Sequence, residues 1–114
     1  MKDFIYLFRG GEADPENPDT APSTEELLLW DQWMAPLLAE DRVMGGDPLV
    51  PTGRVIRGKN SVISDGPFTE GKEMVGGYFL FKAHDLKEAV ALSKNCPILQ
   101  TADGTVEIRE VHQL

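Results

Sequence analysis

Asp65, Glu70, Lys72 and Glu73 fall within nine residues of one another, in the stretch Asp65-Gly66-Pro67-Phe68-Thr69-Glu70-Gly71-Lys72-Glu73. Three carboxylates and an ammonium at this spacing suit proton transfer or recognition of a polar ligand. The Gly66-Pro67 step forbids regular structure, because proline fixes its own φ, lacks an N–H and restricts the residue before it. Asp65 can accept a bond from backbone amides two residues on, and Phe68 offers an apolar anchor. The stretch therefore reads as a shaped loop. As a site, its candidate base is Asp65: a carboxylate held beside Phe68 and Trp30 or Trp33 has its pKa raised. Glu70, Lys72, Glu73, Arg54 and Trp33 are the ligand-binding candidates, with Lys72 or Arg54 holding an anionic substrate. The competing role is a turn whose carboxylates cap backbone and meet water.

The other reactive side chains are less well placed. Cys96 is the sole cysteine, so it forms no intrachain disulfide, and it has no metal-ligand spacing with His84 or His112. It also follows a predicted helix at its C-terminal end, where the dipole disfavours a thiolate. Neither histidine has a second one at ligand spacing, so surface or capping roles are expected for both. Glu12, Asp14, Glu16 and Asp19 crowd a polar loop over residues 10–22, but without the pattern of a calcium-binding loop. Nothing matches a phosphate loop, a dinucleotide fingerprint or a serine nucleophile elbow, and no metal or other cofactor is expected.

Charge narrows the partners. Nineteen acids against 11 bases give −8, which repels phosphate backbones and anionic lipid surfaces. Arg54, Arg57 and Lys59 form the nearest thing to a basic patch, beside a carboxylate-rich loop where local pairing is expected. No apolar run approaches the roughly 20 residues of a membrane span. The first residues, Met1-Lys2-Asp3-Phe4, lack the apolar core of a signal peptide, so a cytoplasmic location is expected.

The elements that must position these residues fit one domain over residues 1–114. Lys2–Arg9 and Val75–Ala83 are apolar at both parities and read as central strands covered on both faces. Ser23 and Glu26 form a capping box, and Leu27, Trp30, Met34 and Leu37 or Leu38 recur at helical spacing, widened by Leu28, Leu29 and Trp33. Trp30, Trp33 and Met34 could roof a ligand cleft, although such a stripe is ordinarily core. Residues 43–52 are extended but carry Gly and Pro, the mark of a sheet edge. Val55-Ile56 and Val62-Ile63 flank Arg57-Gly58-Lys59-Asn60, a hairpin signal. Asp85 caps a second helix over residues 86–95, with Leu86, Ala89, Val90 and Ser93 facing the sheet, and Cys96-Pro97 stops it. Residues 105–111 alternate as a last strand.

This order is a split βαβ: an α+β, ferredoxin-like domain whose antiparallel sheet carries two helices on one face. The other face leaves apolar side chains of the central strands in water, which predicts a twofold homodimer packed through that face. Such a dimer encloses clefts for a small polar ligand.

Asp65-Gly66-Pro67-Phe68, Glu70, Lys72-Glu73 and the following Gly76-Gly77-Tyr78 resemble the signature of the DGPF branch of the YCII-related family. The likeness extends to Gly45-Gly46 with Leu49 and Pro51, to Cys96-Pro97-Ile98-Leu99 and to residues 106–111. The resemblance implies a dimeric α/β barrel. Relatives in the YCII branch carry a histidine near the start of the first helix and an aspartate before a proline after the second. Here those places hold Glu26 and Cys96, so that pair is not available. Two functions stay open: binding or conversion of a small polar molecule near the Asp65 loop, and a non-catalytic accessory module. The resemblance links the second to sigma factors of the extracytoplasmic-function type, which a −8 chain would reach through a protein partner, not DNA.

Overall fold

The computed structural model describes residues 1–11, 22–50, 52–66 and 74–114. Strand β1 (Lys2–Arg9) buries every second residue, Phe4, Tyr6 and Phe8, while Ile5 and Leu7 on its other face are half-buried. Helix α1 (Thr24–Ala39) starts where Ser23 Oγ accepts from the Glu26 N–H at 3.1 Å. β2 (Val43–Pro48) is followed by a hairpin of β3 (Gly53–Arg57) and β4 (Val62–Gly66). β5 (Val75–Ala83), α2 (Leu86–Ser93), a 3₁₀ turn (Pro97–Gln100) and β6 (Thr105–Glu110) complete the order.

The main sheet runs β2-β5-β1-β6, antiparallel throughout, so the two strands apolar at both parities are indeed central. Cross-strand partners share a face. Phe4 stands beside Phe81, Tyr6 between Phe79 and Ile108, and Phe8 beside Val106, all under the helices. On the opposite face Ile5 pairs with Leu80 and Leu7 with Tyr78. The molecule is 20 Å thick along its shortest axis, enough for a sheet and one helix layer. Among the described residues no helix packs on that second apolar face, and Ile5, Leu7, Tyr78 and Leu80 on it are half-buried.

β2 is an edge strand, with a register shift between Val43 and Gly45. It lies so close to β5 that a Cβ on Gly46 would come 2.7 Å from the Tyr78 carbonyl oxygen. The strand ends at Pro48, short of the expected 43–52. The β3–β4 hairpin makes its own two-stranded sheet, with Arg54 opposite Asp65 and Ile56 opposite Ile63.

α1 packs inward most of the face its periodicity predicts, whereas α2 is rolled differently from the expectation. α1 turns its two indoles inward with Met34 and Leu37, leaving Leu27 53% exposed, because two indole rings bury more apolar area than a leucine does. α2 stops at Ser93, two residues early. Ala89 and Ser93 are buried and Leu92 packs on the core, while Leu86 and Val90 face outward. A small residue is required at Ala89, whose carbonyl accepts a bond from the Tyr6 hydroxyl beneath it.

Candidate functional site

β1 ends at Arg9, β2 at Pro48, and β5 and β6 begin at Val75 and Thr105; antiparallel register brings these four residues to one end of the sheet. α1 begins at this end and α2 finishes there, because each helix runs back against the strand preceding it. The hairpin leaves from the same end.

A groove of about 360 Å³, open to solvent, lies between the middle of α1 and the segment after α2. Leu29, Gln32 and Trp33 supply one wall, at the i, i+3, i+4 spacing of one helix face. Asn95, Pro97 and Gln100 supply the other.

The walls are held by specific bonds. The Trp33 indole Nε1 donates to the Leu92 carbonyl oxygen at 3.0 Å, tying the two helices together. The Trp33 ring packs 5.4 Å from Phe79 and 6.1 Å from Tyr6, while Trp30 meets Phe8 edge-on. On the far wall Thr101 Oγ1 donates to the Ile98 carbonyl at 2.7 Å, closing the 3₁₀ turn. Gly10 and Gly104 let the chain pass close: a Cβ on Gly104 would run into the Ile98 carbonyl oxygen, and one on Gly10, where φ is +78°, into that of Asp103.

Three carboxamides, an indole, a proline ring and a leucine line this groove. Carboxamides both donate and accept, so the lining fits a small, flat molecule with hydroxyl or carbonyl oxygens. It contains no titratable group. Cys96, between Asn95 and Pro97, is fully buried, and burial pushes its thiol up to about 11. It is a neutral core side chain, because a nucleophilic cysteine needs the opposite shift.

Of the residues singled out from sequence, Trp33 lines the groove, although its N–H is committed to Leu92. Arg54 lies on the hairpin, exposed, donating from Nη1 to the Gly53 carbonyl at 2.8 Å. Asp65 is its cross-strand partner on β4 by backbone register. Glu70, Lys72 and Glu73 and the Asp65 side chain lie outside the described residues. Gln32, Asn95 and Gln100 were not anticipated. A carboxamide on the same helical face as Trp33, and two more flanking the Pro97 helix stop, were the signal available.

A second polar cluster sits at the opposite end of the sheet. Arg42 pairs with Glu88 and, through Nε at 3.0 Å, with Glu40; the His84 backbone N–H and Nδ1 also meet Glu88. The Arg42 hydrogen bond first, then that from the His84 backbone, lowers the Glu88 carboxyl to about 2. Among the described residues no group of three or more His, Cys, Asp or Glu could hold a metal ion, and no helix is long and apolar enough to cross a membrane.

The family profile of the YCII-related domain matches residues 18–114. None of the curated proteins matches the chain in sequence. Among solved structures, the fold is similar to that of the 5-chloro-2-hydroxyhydroquinone dehydrochlorinase TftG from Burkholderia phenoliruptrix AC1100, determined in complex with 2,5-dihydroxybenzoquinone. The TM-score is 0.53 at 16% identity, over 98% of this chain and 94% of that one.

Proposed function

The chain belongs to the YCII-related family, and from that premise we propose that it is a cytoplasmic homodimer of the DGPF branch that binds, and converts, a small hydroxylated ring compound. The observation that carries this is the groove of three carboxamides around Trp33 and Pro97. Its flat, uncharged lining suits such a molecule, and the dehydrochlorinase of similar fold is bound to one. The pairs Ile5–Leu80 and Leu7–Tyr78, half-buried on the face away from both helices, support the dimer.

The groove lining takes up no proton, so conversion draws its base from elsewhere. Asp65 is that base in this reading, with Glu70, Lys72, Glu73 and Arg54 contacting the ligand. Support comes from topology: the hairpin that carries Arg54 and Asp65 leaves from the end of the sheet where the groove lies.

The test is titration of the ¹⁵N-labelled protein with hydroquinone and with 2,5-dihydroxybenzoquinone. Binding in the groove shifts the Trp33 indole and the side-chain amides of Gln32, Asn95 and Gln100, and Gln100→Leu weakens it about tenfold. Asp65→Asn then abolishes conversion at unchanged melting temperature. Shifts scattered over the surface, or absent, overturn the groove reading. An early-melting Asp65→Asn with unaltered binding makes Asp65 a turn residue.

A further inference from the structure

Gln32, Asn95 and Gln100 are the uncommitted polar side chains of the groove. Among the described residues none of the three makes a hydrogen bond, whereas Gln113 at the far end of the sheet donates from Nε2 to Asp3 Oδ2 at 3.0 Å. The polar groups around them are already taken. Trp33 Nε1 donates to the Leu92 carbonyl, the Ser93 carbonyl accepts from the Cys96 N–H at 2.9 Å, and the Cys96 carbonyl accepts from the Leu99 N–H at 3.0 Å. The Ile98 carbonyl accepts from both the N–H and the Oγ1 of Thr101. These bonds also fix the backbone that carries Asn95 and Gln100. The side chains of the described lining therefore meet a ligand's polar atoms through three carboxamides, while Leu29, Trp33 and Pro97 supply apolar surface for its ring.

A carboxamide holds an N–H donor and a carbonyl acceptor side by side in one plane. Covering it with a ligand that satisfies one of the two leaves the other desolvated and unpaired. A quinone carbonyl only accepts, so it answers the NH₂ and leaves the carboxamide oxygen bare. A phenolic hydroxyl meets either atom, one at a time. A lactam, in which a ring N–H adjoins a ring C=O, presents the complementary pair in the plane of the ring, and both bonds form together. Asparagine and glutamine make the same kind of bidentate pairing with adenine, where a ring nitrogen lies next to an amino group. A hydroxyl on a carbon next to a ring nitrogen rests in the lactam form, so such heterocycles are the hydroxylated rings that match. A lactam of this kind is also neutral at pH 7, which suits a chain of −8.

We propose that the ring taken by this groove is a nitrogen heterocycle in its lactam form, of the hydroxypyridine or hydroxypyrimidine class, read through its N–H and C=O edge by the carboxamides of Gln32, Asn95 and Gln100. The inference rests on the groove reading above and narrows its hydroxylated ring to one chemical class.

The test is a titration of the ¹⁵N-labelled full chain with uracil, with 1,3-dimethyluracil, which keeps the ring and carbonyls but has no N–H, and with hydroquinone. Uracil is expected to shift the side-chain amide signals of the three carboxamides and to bind about tenfold more tightly than either of the others, the scale of one bidentate pair. Gln32→Glu, Asn95→Asp and Gln100→Glu each replace the NH₂ donor by an oxygen at nearly constant shape. All three side chains are exposed, so the variants keep the wild-type melting temperature. At least one of them is expected to weaken uracil about tenfold while leaving hydroquinone nearly unchanged. Uracil no tighter than its dimethyl analogue overturns the lactam edge, as do three variants that bind uracil like the wild type. If hydroquinone still shifts the groove signals in that case, the groove reading stands without this refinement. Groove signals that move with none of the three probes overturn both.

Discussion

The Trp33 indole donates to the Leu92 carbonyl across 59 residues of sequence, and that single 3.0 Å bond joins the two helices at the wall of the groove. The groove and the core are thus one construction: Trp33, which lines the groove, also packs its ring on Tyr6 and Phe79.

Trp33→Phe keeps an aromatic ring but deletes this donor and part of the ring volume, leaving a part-buried carbonyl unpaired. The expected cost is about 2 kcal/mol, from the lost hydrogen bond and the space left behind. For a domain of this size that lowers the melting temperature by roughly 8 °C. Calorimetry of the variant checks it, and an unchanged melting temperature would show that the helices are held together elsewhere.

Gly104→Ala tests the other wall. The added Cβ meets the Ile98 carbonyl oxygen, a backbone atom already bonded by Thr101, so the 3₁₀ turn must move. The expected loss is about 2–3 kcal/mol, the scale of overpacking a tight site. Displaced amide signals of Asn95 and Gln100 should accompany it in the NMR spectrum. Gly53→Ala, where a Cβ meets nothing within 4 Å, is the control.

Cys96 should resist alkylation. Its thiol is held near 11 by burial, so at pH 8 about one molecule in a thousand carries the thiolate. Modification by iodoacetamide is expected at least a hundredfold slower than in the urea-unfolded chain. Because the folded pKa is raised, this group's contribution to stability is complete below the unfolded pKa, near 9, and is lost as pH rises towards 11. Rapid labelling of the folded protein would place Cys96 at a surface.

How far the sequence reached depended on which signal dominated locally. The central strands were legible because Phe4, Tyr6, Phe8, Phe79 and Phe81 leave no other arrangement for a sheet with helices on one side. α1 was legible in part: Trp30, Met34 and Leu37 pack inward as their spacing predicts, but nine of its residues between Leu27 and Leu38 are apolar, and periodicity alone does not turn Trp33 inward and Leu27 outward. Tertiary contacts chose: Trp33 needed an acceptor for its N–H, and Leu92 had one. The same holds for α2, where docking of the Tyr6 hydroxyl on Ala89 set the buried line and turned Leu86 and Val90 outward. Charge attracted attention to the Asp65 loop, whereas the groove is lined by uncharged carboxamides, whose chemistry shows only once Gln32, Asn95 and Gln100 converge.

The Arg42–Glu88 pair gives a prediction about acid stability. Glu88 has its pKa lowered from 4.5 to about 2, chiefly by the hydrogen bond from Arg42 and then by that from the His84 backbone. A group with a depressed folded pKa stabilises fully above its unfolded value, and that contribution disappears as pH falls through the folded value. The unfolded chain takes up a proton near 4.5 that the folded one refuses until about 2, so within that window stability rises with pH. The melting temperature should therefore drop steadily from pH 5 to pH 2. Arg42→Met removes the main cause of the shift while keeping an unbranched stem over the core. It is expected to lower stability at pH 7 and to flatten the profile between pH 5 and 2, since Glu88 then titrates more nearly alike in both states. Parallel profiles for the two proteins would mean that other carboxylates set the acid limb.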